Sequence, residues 1–185
     1  INEEQQKLNP KFTICGNDRI HPDNDGHLVM AYLFLKAQGM AGKKVADVEV
    51  NAKSKKVLKS DNCTITNVEN RSGVVSFDYL ANSLPFPIDT IARGWEYKRQ
   101  QADALKVIPQ FMAEMDDEAF AVTGLKGNYQ LLIDGQLIDT FSAAQLAKGI
   151  NLATYRHTPQ YQQAKTIMDL NETRWEIERQ FRDYA

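Results

Sequence analysis

The unbroken apolar run Leu28-Val29-Met30-Ala31-Tyr32-Leu33-Phe34-Leu35 constrains the fold more than any other stretch of the chain. It reads as a helix, and a helix apolar on nearly every side must be covered by other structure. Asn24 or Asp25 can cap a start near Gly26, and Gly39 is suited to the C′ position. Upstream, Phe12-Thr13-Ile14-Cys15 reads as a short buried strand. Between the two lies the polar stretch Gly16-Asn17-Asp18-Arg19-Ile20-His21-Pro22-Asp23-Asn24-Asp25-Gly26-His27. A loop that leaves a buried strand and enters a buried helix is held at both ends. It suits the task of fixing an acid and an imidazole in one geometry.

Asp18 and His21 are the residues of interest in that loop. At a spacing of i, i+3 across a tight turn, a carboxylate can bend back to accept the Nδ1–H of the imidazole. That fixes the tautomer and leaves Nε2 as the basic nitrogen. Pro22 holds His21 to extended backbone angles and so restricts the direction of the ring. The plainer alternative is a turn-capping Asp and an ordinary loop histidine.

Asp18-Arg19-Ile20-His21-Pro22, followed by Gly26-His27 opening an apolar helix, resembles the last signature block of the SGNH (GDSL-type) serine ester hydrolases. The likeness covers Phe12 to Gly39. It implies that His21 is the general base of a Ser-His-Asp triad and Asp18 its orienting partner. It also implies a fold in which this helix packs on a central parallel sheet. In that family the serine comes from a Gly-Asp-Ser block near the N-terminus, and a Gly and an Asn from intermediate blocks complete the oxyanion hole. This chain has no Gly-Asp-Ser and no room for three blocks before Asp18. Either it is the C-terminal part of a longer enzyme, or its triad is incomplete and it is inactive.

A net charge of −2 gives no reason to expect nucleic acid or an anionic membrane as a partner. Lys53, Lys55, Lys56 and Lys59 form a locally basic stretch without interleaved aromatics, the pattern of a solvated strand face. No apolar run approaches the roughly 20 residues of a membrane span. The polar opening Asn2-Glu3-Glu4-Gln5-Gln6-Lys7 is no signal peptide, and a first residue Ile1 agrees with a processed or truncated chain. Cys15 and Cys63 make neither a disulfide framework nor a zinc pattern, and Asn62-Cys63-Thr64 is a weak glycosylation match. The cysteines leave the compartment open; the family resemblance points to a secreted or periplasmic setting. The sequence sets no oligomeric state.

Beyond Gly42-Lys43-Lys44 the grammar changes to antiparallel strands. Val45–Val50, Val57-Leu58, Cys63–Val68 and Val74–Tyr79 are short β-like runs separated by turn residues. Leu84-Pro85-Phe86-Pro87 breaks the pattern, and a helix is expected from about Thr90 to Val107. The acidic Glu114-Met115-Asp116-Asp117-Glu118 reads as an exposed connection. Strands resume at Ala119–Val122. Tyr129–Ile133 and Gln136–Thr140 flank Asp134-Gly135, the strongest hairpin signal in the chain. These strands are expected to join residues 45–79 in one antiparallel layer or sandwich. Ser142 caps a short helix ended by Gly149, and Thr158-Pro159 opens the last helix.

The expected fold class is therefore α/β. A C-terminal portion of an SGNH-like three-layer α/β/α domain (strand, Asp-x-x-His loop, helix) is followed by an antiparallel β-rich module and a long C-terminal helix. The expected divisions are 1–42 for the hydrolase segment, 43–153 for a β-rich accessory module with a middle helix, and 154–185 for the helix packing on the rest.

Acyl transfer also needs a nucleophile and oxyanion donors. Ser54, Ser60, Ser72, Ser76, Ser83 and Ser142 each have a simpler place in a turn, strand face or cap, and none sits on a Gly-flanked elbow. A serine outside this chain is the better candidate. Asp18, His21 and His27 match no standard metal-ligand spacing. His27 is assigned to local packing and His157 to the surface. Asn151, Tyr155 and Arg156 are candidates for a cleft border, a solvated loop being the default, and Trp95 and Tyr97 invite a sugar-stacking reading, although aromatics at helical positions are ordinarily core. The implied function is cleavage of acyl esters, including acetylated carbohydrates, with no cofactor. The partners would be a small-molecule or carbohydrate ester and the upstream part of the same polypeptide. The rival reading is a non-catalytic binding or scaffolding module that keeps the motif as a relic.

Overall fold

In the computed structural model, residues 1–92 and 98–184 are described. The chain is mixed α/β, with several sheets and a long C-terminal helix. It divides into two compact units, Ile1–Lys43 with Ile88–Met115, and Lys44–Pro87 with Asp116–Ala185.

The first unit contains α1 (Asn2–Leu8), α2 (Asn24–Ala37), a 3-10 turn at Gln101–Lys106 and the short α3 (Phe111–Met115). Its core gathers Leu28, Val29 and Tyr32 of α2 against Ile88, Ala104, Ile108 and Phe111. These α2 positions recur at helical spacing and so share one face. The opposite face leaves Met30, Leu33 and Phe34 exposed. Tyr32 Oη donates to Glu114 Oε2 at 2.6 Å, and Lys36 Nζ lies 2.7 Å from the same oxygen. The phenol thus stays buried with its polar end paired.

Two local expectations change here. Phe12–Cys15 forms no strand; Cys15 makes an isolated bridge with Pro22, and Ile14 N–H donates instead to the Asn2 side chain. An extended segment with no neighbouring strand turns to local acceptors. The helix expected at 90–107 is not continuous. Residues 93–97, including Trp95 and Tyr97, lie outside the described residues, while Ala92 bridges Gln100 and the 3-10 turn follows. Reciprocal bonds between Gln100 and Asp103 cap that turn.

The second unit is built on a four-stranded sheet. Its strands are β1 (Ala46–Asn51), β2 (Lys56–Asp61), β5 (Glu118–Thr123) and β8 (Ile150–Asn151), in the order β2-β1-β5-β8. Two hairpins stand apart as two-stranded sheets: β3 (Cys63–Arg71) with β4 (Val74–Ala81), and β6 (Asn128–Ile133) with β7 (Gln136–Ser142). The expected single antiparallel layer is thus corrected. β1 and β5 run parallel, pairing Val48 with Phe120 and Val50 with Val122, and the hairpins do not join them. Turn residues reveal only pairings between sequence neighbours; a parallel pair needs a distant partner that spacing does not name.

The core of this unit collects Ala46, Val48 and Val50 of β1 and Phe120 and Val122 of β5, with Cys63, Phe141, Leu146 and Leu152. Phe77 of β4 stacks on Phe120 at 6.0 Å. At the β6–β7 turn Asp134 and Gly135 both adopt positive φ, 51° and 79°, which the tight hairpin demands. Ser142 caps α4 (Ala143–Lys148) through a reciprocal pair with Gln145. Thr158 caps α5 (Pro159–Asp183), which buries Tyr161 and Ala164 and leaves Ile167, Leu170, Trp175, Ile177 and Phe181 exposed.

The segment expected to be an exposed acidic connection is instead largely interior. Asp116 and Glu118 are both 0% exposed. They fall in phase with the inward-facing Phe120 and Val122, so strand alternation aims their side chains inward as well. Asp116 Oδ1 accepts the Phe86 N–H at 2.8 Å, and Glu118 Oε1 accepts from Tyr79 Oη at 2.8 Å and Gln160 Nε2 at 3.0 Å. Asn151, a candidate for a cleft border, is a structural brace: its side chain takes the Glu118 N–H and donates to the Asp116 carbonyl.

Candidate active site

Asp18 and His21 lie on a turn closed by the main chain. Gly16 N–H donates to the His21 carbonyl at 2.8 Å, and Arg19 N–H donates to the Gly16 carbonyl at 3.0 Å. Arg19 takes φ 59°, the left-handed conformation that lets the chain reverse within so few residues. Asp18 Oδ1 accepts the N–H of Ile20 at 2.9 Å and of His21 at 3.1 Å, so this oxygen organises the turn.

The other oxygen is left for the ring. Asp18 Oδ2 and His21 Nδ1 are 2.6 Å apart. A carboxylate only accepts, so Nδ1 carries the proton and Nε2 is the basic nitrogen of neutral imidazole. The His21 side chain is 57% exposed and the Asp18 side chain 35%, so the pair is open to solvent. The hydrogen bond from His21, followed by those from the Ile20 and His21 amides, lowers the Asp18 pKa to about 2. Asp18 is therefore an anion across the neutral range.

The loop runs directly into α2. Asp23, not Asn24 or Asp25, is the cap, its side chain accepting the Asn24 N–H at 3.0 Å. At Gly26 a Cβ would overlap the Ile14 carbonyl oxygen and press on Pro22. Only glycine lets the first turn of α2 come this close to the strap that leads into the loop. Across this junction lies Arg99, whose Nη1 is 3.1 Å from the Thr13 carbonyl and 3.4 Å from Asp25 Oδ2. Burial pushes the Asp25 pKa up, and the Arg99 charge opposes that rise.

Among the other histidines, His27 is exposed on α2, and His157 Nε2 lies 2.8 Å from the Ile138 carbonyl. Among the described residues no group of three or more His, Cys, Asp or Glu is placed to hold a metal, and no helix is long and apolar enough to cross a membrane. The serines have local roles: Ser54 Oγ bonds Asn51, Ser60 Oγ bonds the Cys63 carbonyl, Ser83 accepts from Asn62, and Ser142 is a helix cap. Ser72 sits at φ 51° in the β3–β4 turn, and Ser76 lies on the exposed face of β4.

Sequence reasoning did not single out Arg99. Its partners lie 86 and 74 residues away, and no local spacing marks such a contact. Its one legible trace is its charge, a basic side chain in a chain whose loop carries several acids.

No protein-family model and no curated protein matches the chain. A solved structure does. It is described as BT4096, a gut microbial diltiazem-metabolizing enzyme, and it is 63% identical with a TM-score of 0.92 over the whole of this chain. The present chain spans 41% of that protein's length, so its fold is that of part of an enzyme's chain.

Proposed function

We propose that this chain is the C-terminal part of a serine ester hydrolase of the SGNH type, cleaving acyl esters of small molecules or acetylated carbohydrates. The observation that carries the reading is the 2.6 Å contact between Asp18 Oδ2 and His21 Nδ1 on an exposed, closed turn. The similarity to an enzyme that metabolises diltiazem, a compound with an acetyl ester, supports it. In this reading residues 1–42 belong to the hydrolase domain, and Ile88–Met115, packed with them in one unit, lend it support. Residues 43–153 then form an accessory module, apart from that supporting segment.

The nucleophilic serine and oxyanion donors belong, in this reading, to polypeptide outside these 185 residues. His21 Nε2 accepts the serine proton as Oγ attacks the acyl carbon. The tetrahedral intermediate collapses to an acyl-serine, and the imidazolium gives its proton to the departing alkoxide. His21 then takes a proton from water, whose oxygen attacks the acyl carbon, and the serine oxygen recovers the proton as the carboxylic acid leaves. Asp18 holds the ring in one tautomer and balances the imidazolium charge at both stages.

A fluorophosphonate probe tests the assignment. It is expected to modify one serine in the full-length protein and none in the isolated 185-residue chain, as read by peptide mass mapping. A modified serine within these residues, or no modification of the full-length protein, would overturn it.

A further inference from the structure

Arg99 reaches both flanks of the Asp18–His21 turn with a single nitrogen. Nη1 is 3.1 Å from the carbonyl of Thr13, on the strap entering the loop, and 3.4 Å from Oδ2 of Asp25, in the first turn of the helix that follows it. We infer that Arg99 is a positioning residue for the His21–Asp18 pair, pinning the two ends of its loop together from a distant segment of the chain. The inference rests on the ester-hydrolase reading of that pair.

At 3.4 Å the contact to Asp25 is long for a charge-assisted hydrogen bond. Its importance lies in where the two acceptors sit. The turn itself is closed locally by the Gly16–His21 main-chain bond and the Cys15–Pro22 bridge. What those bonds do not fix is the angle between the strap and α2. That angle depends on the close approach of Gly26 to the Ile14 carbonyl, on the packing of the Ile14 side chain against the core that holds Leu28 and Val29, and on Arg99, the polar link between the two. Asp25 is largely buried, its side chain 13% exposed, and its other oxygen already accepts the Gly26 N–H at 2.9 Å. Without the guanidinium this carboxylate would lose its nearby positive charge while still largely shielded from water, which favours opening of the junction. The loop between would then turn as a body. Asp18 and His21 would keep their mutual bond but lose their aim at the reacting serine. Displacements on the order of 1 Å cost about 10²-fold in rate when they move a catalytic group off line.

The test uses the full-length protein and p-nitrophenyl acetate, with rates normalised per site by fluorophosphonate titration so that any unfolded fraction drops out. Arg99→Met is expected to lower kcat about 10- to 100-fold with KM within about twofold. Arg99→Lys, which keeps the charge on a shorter side chain that places its nitrogen less well between the two acceptors, is expected to recover part of that loss. Asp25→Asn, which keeps the Thr13 contact, is expected to lose less than Arg99→Met. The His21 Nδ1 proton resonance, a signature of its bond to Asp18, is expected to persist in all three. An Arg99→Met enzyme with unchanged kcat per titrated site overturns the inference, as does a loss confined to KM. If Arg99→Met does not fold, unchanged kcat in both Arg99→Lys and Asp25→Asn overturns it equally. A His21→Ala control separates the two claims: full activity there defeats the hydrolase reading itself, whereas an inactive control beside a fully active Arg99→Met defeats only the role given to Arg99.

Discussion

At Asp18 one short side chain serves two ends: Oδ1 shapes the turn through two backbone amides and Oδ2 meets the imidazole. The largest cause of its lowered pKa is the bond from His21, so His21→Asn is expected to raise the Asp18 pKa from about 2 toward the usual carboxylate value. Carboxyl carbon NMR through a pH titration would show this. An unchanged midpoint would mean that the backbone amides alone hold the charge. The favourable contribution of the ionised carboxylate is present above its unfolded value of 3.8 and disappears as pH falls through about 2. The closeness of Asp18 and His21 was legible because it needs only a three-residue turn and a proline after it. Arg99 was not legible, because its contacts are set by tertiary packing over a separation of 86 residues.

At the scale of elements, the junction between the Thr13–Cys15 strap and α2 depends on the absent Cβ at Gly26. Gly26→Ala is expected to displace the first turn of α2 and destabilise the protein by about 1–3 kcal/mol, the usual range for overpacking, with ester hydrolysis falling alongside. A wild-type melting curve in the variant would show that the strap yields freely. Elements whose signals are local were readable in advance: Ser142 with Gln145, Thr158 with Pro159, and the Asp134-Gly135 hairpin. The parallel pairing of β1 with β5 was hidden, since its partners are joined by a long excursion of chain. The acidic stretch before β5 was misread because charge suggested exposure. Its phase with Phe120 and Val122 was the signal that put Asp116 and Glu118 inside.

Over the whole molecule, those two buried carboxyls tie stability to pH. Burial raises the Asp116 pKa to about 7, and it raises that of Glu118 as well; among the described residues Asp116 Oδ2 and Glu118 Oε2 have no hydrogen-bond partner. A carboxyl that holds its proton more tightly when folded stabilises the fold at low pH. That contribution is complete below the unfolded value of 3.8 and is lost as pH rises through about 7. Asp116→Asn keeps an acceptor for the Phe86 amide and removes the charge. It is expected to raise stability at pH 8 by on the order of 1–3 kcal/mol while changing it little at pH 4. Denaturant unfolding at the two pH values decides; an equal shift at both would remove the charge as the cause.

The proposed chemistry turns on the His21 imidazole. The full-length protein and its His21→Ala variant are assayed side by side on p-nitrophenyl acetate. The expected result is a loss of kcat/KM of about 10³-fold or more, with the folded state preserved because His21 is a surface side chain. Equal kcat/KM in the two proteins would remove His21 from the reaction.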